Sequence, residues 1–170
     1  MLTMVVISFI LVVLYVGATI WRKKDLPASI SSLVYDLPTG WQWVWTAWIW
    51  SVGLLTCIPV IEALSAKGLE FLGFLTLCCI TFCGAMPVVR NQRNTAHNVF
   101  GVSAGILSQI CVCFISPLWL LVWLGFIAIP FIVEYRAVKS FPLVMYDNGV
   151  FILESFSTLC YIFCLLAVFI

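Results

Sequence analysis

Apolar and polar positions along this chain fall in long blocks rather than in short alternations. Six blocks are apolar nearly throughout: Leu2–Trp21, Trp41–Ile61, Leu69–Val89, Asn98–Ile115, Pro117–Val133 and Val150–Ile170. Each is close to the ~20 residues that a helix needs to cross a bilayer. The pattern predicts an all-α, polytopic transmembrane bundle of about six spans, in a single domain over residues 1–170. The fourth and fifth blocks run together for 36 uncharged residues, from Asn98 to Val133. One helix of that length would reach ~54 Å, against a hydrocarbon core of ~30 Å. Two crossings with a turn at Ser116-Pro117 fit better, because proline in a first helical turn gives up no hydrogen bond.

The connecting segments carry the charge. Arg22, Lys23, Lys24, Arg90, Arg93, Arg136 and Lys139 lie in the first, third and fifth loops, and Lys67 alone lies on the other side. Cytoplasmic loops hold the excess of Lys and Arg. The odd loops are therefore expected in the cytoplasm and both termini outside it, in the cell membrane. The cations at residues 22–24 follow the first apolar block, whereas a cleaved signal carries them in front; the block is expected to stay as a helix. In the first loop, Leu26, Ile30, Leu33, Val34 and Leu37 recur near the helical period. Asp25 suits a cap, Pro27 a first turn, and Pro38 with Gly40 an end. A short amphipathic helix over Asp25–Leu37, lying in the cytoplasmic interface, is expected. Trp41, Trp43, Trp45, Trp48 and Trp50 follow it. They suit a headgroup-level anchor, or a ring platform for a ligand.

Composition closes off other classes. Apolar residues make up 64% of the chain and charged ones 9%, where a soluble domain carries ~25% charged residues. A net charge of +1 gives no field to attract nucleic acid. Membrane lipids are the expected partners, together with a small-molecule or lipid-like ligand, a second copy of the chain or a partner membrane protein. The eight cysteines all sit in apolar blocks, where Cys behaves as a small hydrophobe. Cys79–Cys83 and Cys160–Cys164, each four apart, would hold a soft metal only if their helices touched. A single histidine cannot build a His-rich zinc site, and no nucleophile–base–acid order or phosphate loop is present. No catalytic residue, metal or cofactor is assigned.

The polar residues inside the spans are the candidates for a site. His97, Gly101, Gly105, Ser108 and Gln109 share one face of the fourth helix. Gly101 and Gly105 suit close helix packing. His97, Ser108 and Gln109 suit a polar cavity, with Arg93 at its mouth. Glu154 lies about one turn into the last span, where an ionised group is costly unless it faces the bundle and finds a partner. The cations expected for it are those of the third and fifth loops. On the other side, Glu62, Lys67 and Glu70 flank a short turn and suit a surface ion pair or an acidic vestibule.

The stretch His97-x-x-x-Gly101-x-x-x-Gly105 in the fourth of six spans, after a short basic loop, resembles a class of small six-helix membrane proteins of the Frag/DRAM type. The Ser29-Ile30-Ser31-Ser32-Leu33 loop is similar to theirs. The resemblance implies a six-helix bundle with polar groups around the fourth helix and carries no settled activity. From the residues, three functions follow: non-enzymatic binding or transport of a small or lipid-like ligand through an intramembrane polar pocket, a membrane-embedded lipid-modifying enzyme at the cytoplasmic face, or a structural or partner-binding subunit. The topology has a direct test. Cysteines placed near Lys67 and at both termini are expected to react with an impermeant maleimide outside cells, and those near Lys24, Arg93 or Lys139 only after permeabilisation. Outside labelling of the Arg93 loop would reverse the orientation.

Overall fold

The computed structural model describes residues 1–23, 27, 29–38, 40–89, 95–139 and 149–170. All regular structure among the described residues is helical. It comprises α1 (Leu2–Lys23), a 3-10 helix (Ser31–Asp36), α2 (Gln42–Ser65), α3 (Glu70–Val89), α4 (Thr95–Ile115), α5 (Pro117–Val138) and α6 (Val150–Phe169). Each of the six apolar blocks has its helix. Four of them, α1, α2, α4 and α6, are long and apolar enough to cross a membrane; the apolar stretches Glu70–Met86 and Pro117–Val133 are shorter. The break between α4 and α5 falls at Ser116, whose backbone is extended (φ −154°, ψ 103°), and Pro117 opens α5.

The helices do not share burial equally. The last helix, α6, packs against α1, α2, α4 and α5, and it buries Phe151, Ser157, Cys160, Tyr161, Ile162, Cys164 and Leu165. Around it, Val5 and Val12 of α1, Val52, Val60 and Leu64 of α2, Leu72 of α3, and Cys111 and Val112 of α4 complete the main core. No residue of α5 among those described is buried. The outer faces are apolar as well. On α4 the exposed residues are Val99, Val102, Ile106, Ile110 and Phe114, a helical stripe opposite buried His97, Gln109, Cys111 and Val112. Water would penalise a continuous apolar exterior of this kind.

The tightest pairing is the hairpin of α2 and α3. Three glycines in it each meet an isoleucine of the facing helix. A Cβ added at Gly84 would lie 2.3 Å from Ile49, at Gly53 2.7 Å from Ile80, and at Gly73 2.6 Å from Ile61. The pairs 49–84, 53–80 and 61–73 hold one antiparallel register. Thr46 Oγ1 donates to Gly84 O (2.7 Å) and Trp50 Nε1 to Thr81 O (3.0 Å), in the same register. At the hairpin's tip Gly68 takes φ +65°, a conformation with little steric cost only for glycine. Lys67 donates to the Phe114 carbonyl at the end of α4, so its described partner is a helix terminus and not the expected Glu62 or Glu70.

Two expectations need correction here. The close approach expected at Gly101 and Gly105 is made elsewhere. A Cβ at Gly101 would meet only Cys83 Sγ, at 3.5 Å, and at Gly105 nothing lies within 4 Å. The group that faces Gly101 is the Cys83 thiol, which also lies 3.7 Å from the His97 ring. The first loop also differs. Asp25 and Leu26, the expected helix start, lie outside the described residues, and the ordered turn is six residues of 3-10 helix. Its cause is a reciprocal serine lock: Ser29 N–H donates to Ser32 Oγ (3.2 Å), and Ser32 N–H to Ser29 Oγ (2.9 Å). Serine side chains that bond the local backbone compete with α-helix. The apolar residues of the turn, Ile30, Leu33 and Val34, are buried against Trp45 and Phe151.

Gly73→Ala is expected to destabilise the protein by ~1–3 kcal/mol through overpacking, because the Ile61 backbone lies behind the contact. Gly105→Ala is expected to be neutral or stabilising by up to ~1 kcal/mol, from helix propensity alone. Thermal unfolding of the two variants in detergent tests this; equal shifts in Tm would refute the asymmetry.

Candidate functional site

The polar side chains within the helices form three separate groups. The first joins the opening loop to α6. Ile30 N–H donates to Glu154 Oε2 (2.5 Å), Ser31 N–H donates to the same oxygen (3.2 Å), and the Ser31 hydroxyl donates to Oε1 (3.3 Å). Among the described residues, the carboxylate is held by three donors of the first loop. Hydrogen bonds to a charged acceptor are roughly twice as strong as neutral ones, so backbone amides can take the place of a cation. Arg136 and Lys139 are exposed. Arg90 and Arg93 lie outside the described residues, so the expected place of Arg93 in the site stays a proposal.

The second group lies between α3 and α4. His97 is buried, and its Nδ1 lies 3.0 Å from the Cys83 carbonyl and 3.7 Å from Cys83 Sγ. The sequence explains the arrangement. The fourth residue after Cys83 is Pro87, which has no N–H to give that carbonyl. A ring nitrogen protonated at Nδ1 supplies the missing donor, and the tautomer follows from the need. An imidazole occupied in this way is a prop for α3 rather than a base for the neighbouring thiol.

The third group crosses α4, α5 and α6. Buried Gln109 donates through Nε2 to Ser157 O (3.1 Å) and to Ser108 Oγ (3.2 Å), and Ser108 Oγ donates to Gly105 O (2.7 Å). Trp123 Nε1 donates to Ser157 Oγ (2.9 Å). A carbonyl partner fixes which end of the amide is nitrogen. Gln109 Oε1 is left buried with no hydrogen-bond partner, a deficit of the order of ~1–3 kcal/mol. Beside this network a groove opens between α5 and α6. Trp119, Val122 and Phe126 line one wall, and Phe156, Leu159, Cys160 and Phe163 the other. Cys160 Sγ donates to Trp119 O (3.3 Å) across it.

His97, Gln109 and Glu154 are therefore each tied to a different neighbour. Sequence reasoning took Cys83 only as half of a cysteine pair, and it passed over Ser157 and Trp123. Pro87 was a signal for the first, since a proline inside a span orphans the carbonyl four residues earlier. The tryptophan cluster divides. Trp41 and Trp43 are exposed and stacked, with ring centroids 6.3 Å apart, as an anchor would be. Trp45 is buried, and Trp48 stacks on Tyr15 at 4.4 Å and donates to Leu11 O (2.9 Å). All eight cysteines are free thiols. Comparison with family models, with curated proteins and with solved structures gives no match.

His97→Ala removes the donor for the Cys83 carbonyl. It is expected to cost ~1–3 kcal/mol, measurable as a lower Tm in detergent, and Pro87→Ala in the same background should restore part of it by returning an N–H to the helix. No restoration would mean that the ring does not serve that carbonyl.

Proposed function

We propose that this chain is a multi-pass protein of the cell membrane that crosses the bilayer six times with both termini on the non-cytoplasmic side, and that it binds a lipid-like ligand without catalysing a reaction. The apolar exterior of the bundle supports the membrane placement, and the distribution of Lys and Arg supports the orientation. The Frag/DRAM-type resemblance fits the same six-helix design. The observation that carries the binding function is the α5–α6 groove beside the Gln109–Ser157–Trp123 network. Its walls are aromatic and aliphatic, and the Cys160 thiol among them is already bonded to Trp119 O. An apolar chain suits such walls. The groove is small, about 40 Å³, where pockets for compact small molecules run to ~300–1,000 Å³. Its volume is little more than the ~30 Å³ share of one water, room for a short stretch of an acyl chain lying along the open groove and not for a bulky solute.

A second reading, a structural or partner-binding subunit, is favoured by a separate observation. His97 and Glu154 both serve as cross-links within the bundle. The two readings part in one experiment. With a phospholipid bearing a photoactivatable acyl chain, binding in the groove should concentrate labelling at Val122, Phe126, Leu159 and Phe163. Leu118 and Ile129, which are exposed on α5, supply the background, and Leu159→Trp, which fills the groove, should abolish the excess. Even labelling of all these positions would defeat the binding function and leave the structural one.

A further inference from the structure

The walls of the α5–α6 groove continue beyond it. On α5 they are Trp119, Val122 and Phe126, and the same helical face goes on through Val133 to Arg136, both exposed. On α6 the wall begins at Phe156, and Leu153, one turn earlier, is exposed. Phe126 and Phe156 stack across the boundary with ring centroids 5.8 Å apart. An open apolar track therefore leaves the groove along α5 and ends on a cation. The last turn of α5 has the features of a headgroup zone. Arg136 and Lys139 are exposed and form no ion pair among the described residues. Tyr135 beside them is exposed, and tyrosine is enriched at that level of a membrane. Lys139 closes the helix in the left-handed conformation (φ 55°), and its N–H donates to Tyr135 O (2.7 Å). The backbone thus holds the second cation within one turn of the first.

We infer that the groove takes the chain end of an anionic phospholipid from the cytoplasmic leaflet, with the phosphate of its headgroup held by Arg136 and Lys139. The inference rests on the binding function and the orientation proposed above, and it adds the charge of the ligand and its leaflet. The lengths agree. Val133, the last apolar residue of the track, is ~16 Å from Val122 along the helix axis. That is about half of a ~30 Å hydrocarbon core, the depth of one leaflet. A lipid with its phosphate at Arg136 runs one chain along the track and places the end of that chain in the groove, which has room for a short stretch only. The charges agree as well. A guanidinium presents its donors in a fork that matches phosphate, and the Lys139 ammonium adds a second positive charge. A zwitterionic lipid brings a cation of its own to this pair, and an anionic lipid does not. A cation at the C-terminal end of a helix is also favourable by itself; that account of Arg136 needs no lipid and predicts no preference between lipids.

Photolabelling of the full chain in phosphatidylcholine nanodiscs tests this. The probe is a trace of phosphatidylglycerol or of phosphatidylcholine, each with the same photoactivatable group at the end of one acyl chain. Labelling of Val122, Phe126 and Leu159 above the background at Leu118 is expected to be roughly five-fold higher with phosphatidylglycerol, the effect of about one cation near an anionic surface. Arg136→Gln combined with Lys139→Gln should bring the two lipids level. Arg22→Gln, which removes an exposed cation at the end of α1, should leave the preference in place. Equal labelling of the wild-type groove by both lipids, above background, overturns the inference and leaves the groove's binding function standing. No excess over background with either lipid removes both. A preference that survives the double substitution, or that Arg22→Gln abolishes to the same extent, is attraction to the charge of the whole face and overturns the assignment to Arg136 and Lys139.

Discussion

A hydrogen-bonding group shut away from water must find its partner inside the protein, and the helices of this bundle are arranged so that side chains meet that demand where the backbone cannot. The Cys83 carbonyl faces a proline four residues on, and His97 reaches across from α4 to supply the donor. The last carbonyls of α4 have no helical partner, and Lys67 reaches from the α2–α3 turn to bond one of them. The open end of the first loop presents two amides, and Glu154 accepts both. In each case a polar side chain answers a specific backbone defect, and in answering it joins two elements. Polar residues that look like a dispersed site along the sequence thus act first as stitches between helices.

In the proposed membrane placement, the α2–α3 hairpin meets a different demand, that of contact without a hydrophobic drive. In a lipid surrounding, helices gain little from apolar burial and adhere through close van der Waals fit and hydrogen bonds. The Gly–Ile pairs at 49–84, 53–80 and 61–73 supply the fit, and Thr46 and Trp50 supply the bonds. α5 lacks the glycine fit: a Cβ at its Gly125 would meet nothing within 4 Å. It meets its neighbours through the Trp123–Ser157 and Cys160–Trp119 bonds and through large side chains, and the groove lies where that packing is least complete.

The helices were legible in the sequence because length and apolar character decide them: the break at Ser116-Pro117 and the six apolar blocks needed no knowledge of contacts. The partners were not legible, for reasons that differ by residue. Glu154 was expected to seek a cation because charge is visible in a sequence, whereas a free backbone amide is not. Gly101 and Gly105 announce themselves by spacing within one helix. Gly53, Gly73 and Gly84 lie on two helices, and they form a pattern only once the hairpin register is known. Trp41, Trp45 and Trp48 share a helical face, yet only the first is exposed, since depth along the bundle separates them. The short 3-10 turn escaped because its apolar spacing suits an α-helix, and the reciprocal bonds of Ser29 and Ser32 leave no mark on that spacing.

The central place of α6 bears on how the chain is made. Helices enter a membrane in the order of synthesis, and α6 is translated after the other five. Until it arrives, α5 lacks the neighbour it packs against most, α1 has α2 but lacks its second neighbour, and Gln109 of α4 has no Ser157 carbonyl to meet. The α2–α3 hairpin needs nothing from α6 and can pair as soon as both helices are inserted. The first loop sits at the other extreme: it is translated early, and its anchor on Glu154 comes more than a hundred residues later. Assembly therefore has a built-in delay, with the N-terminal turn among the first parts made and among the last to be fastened.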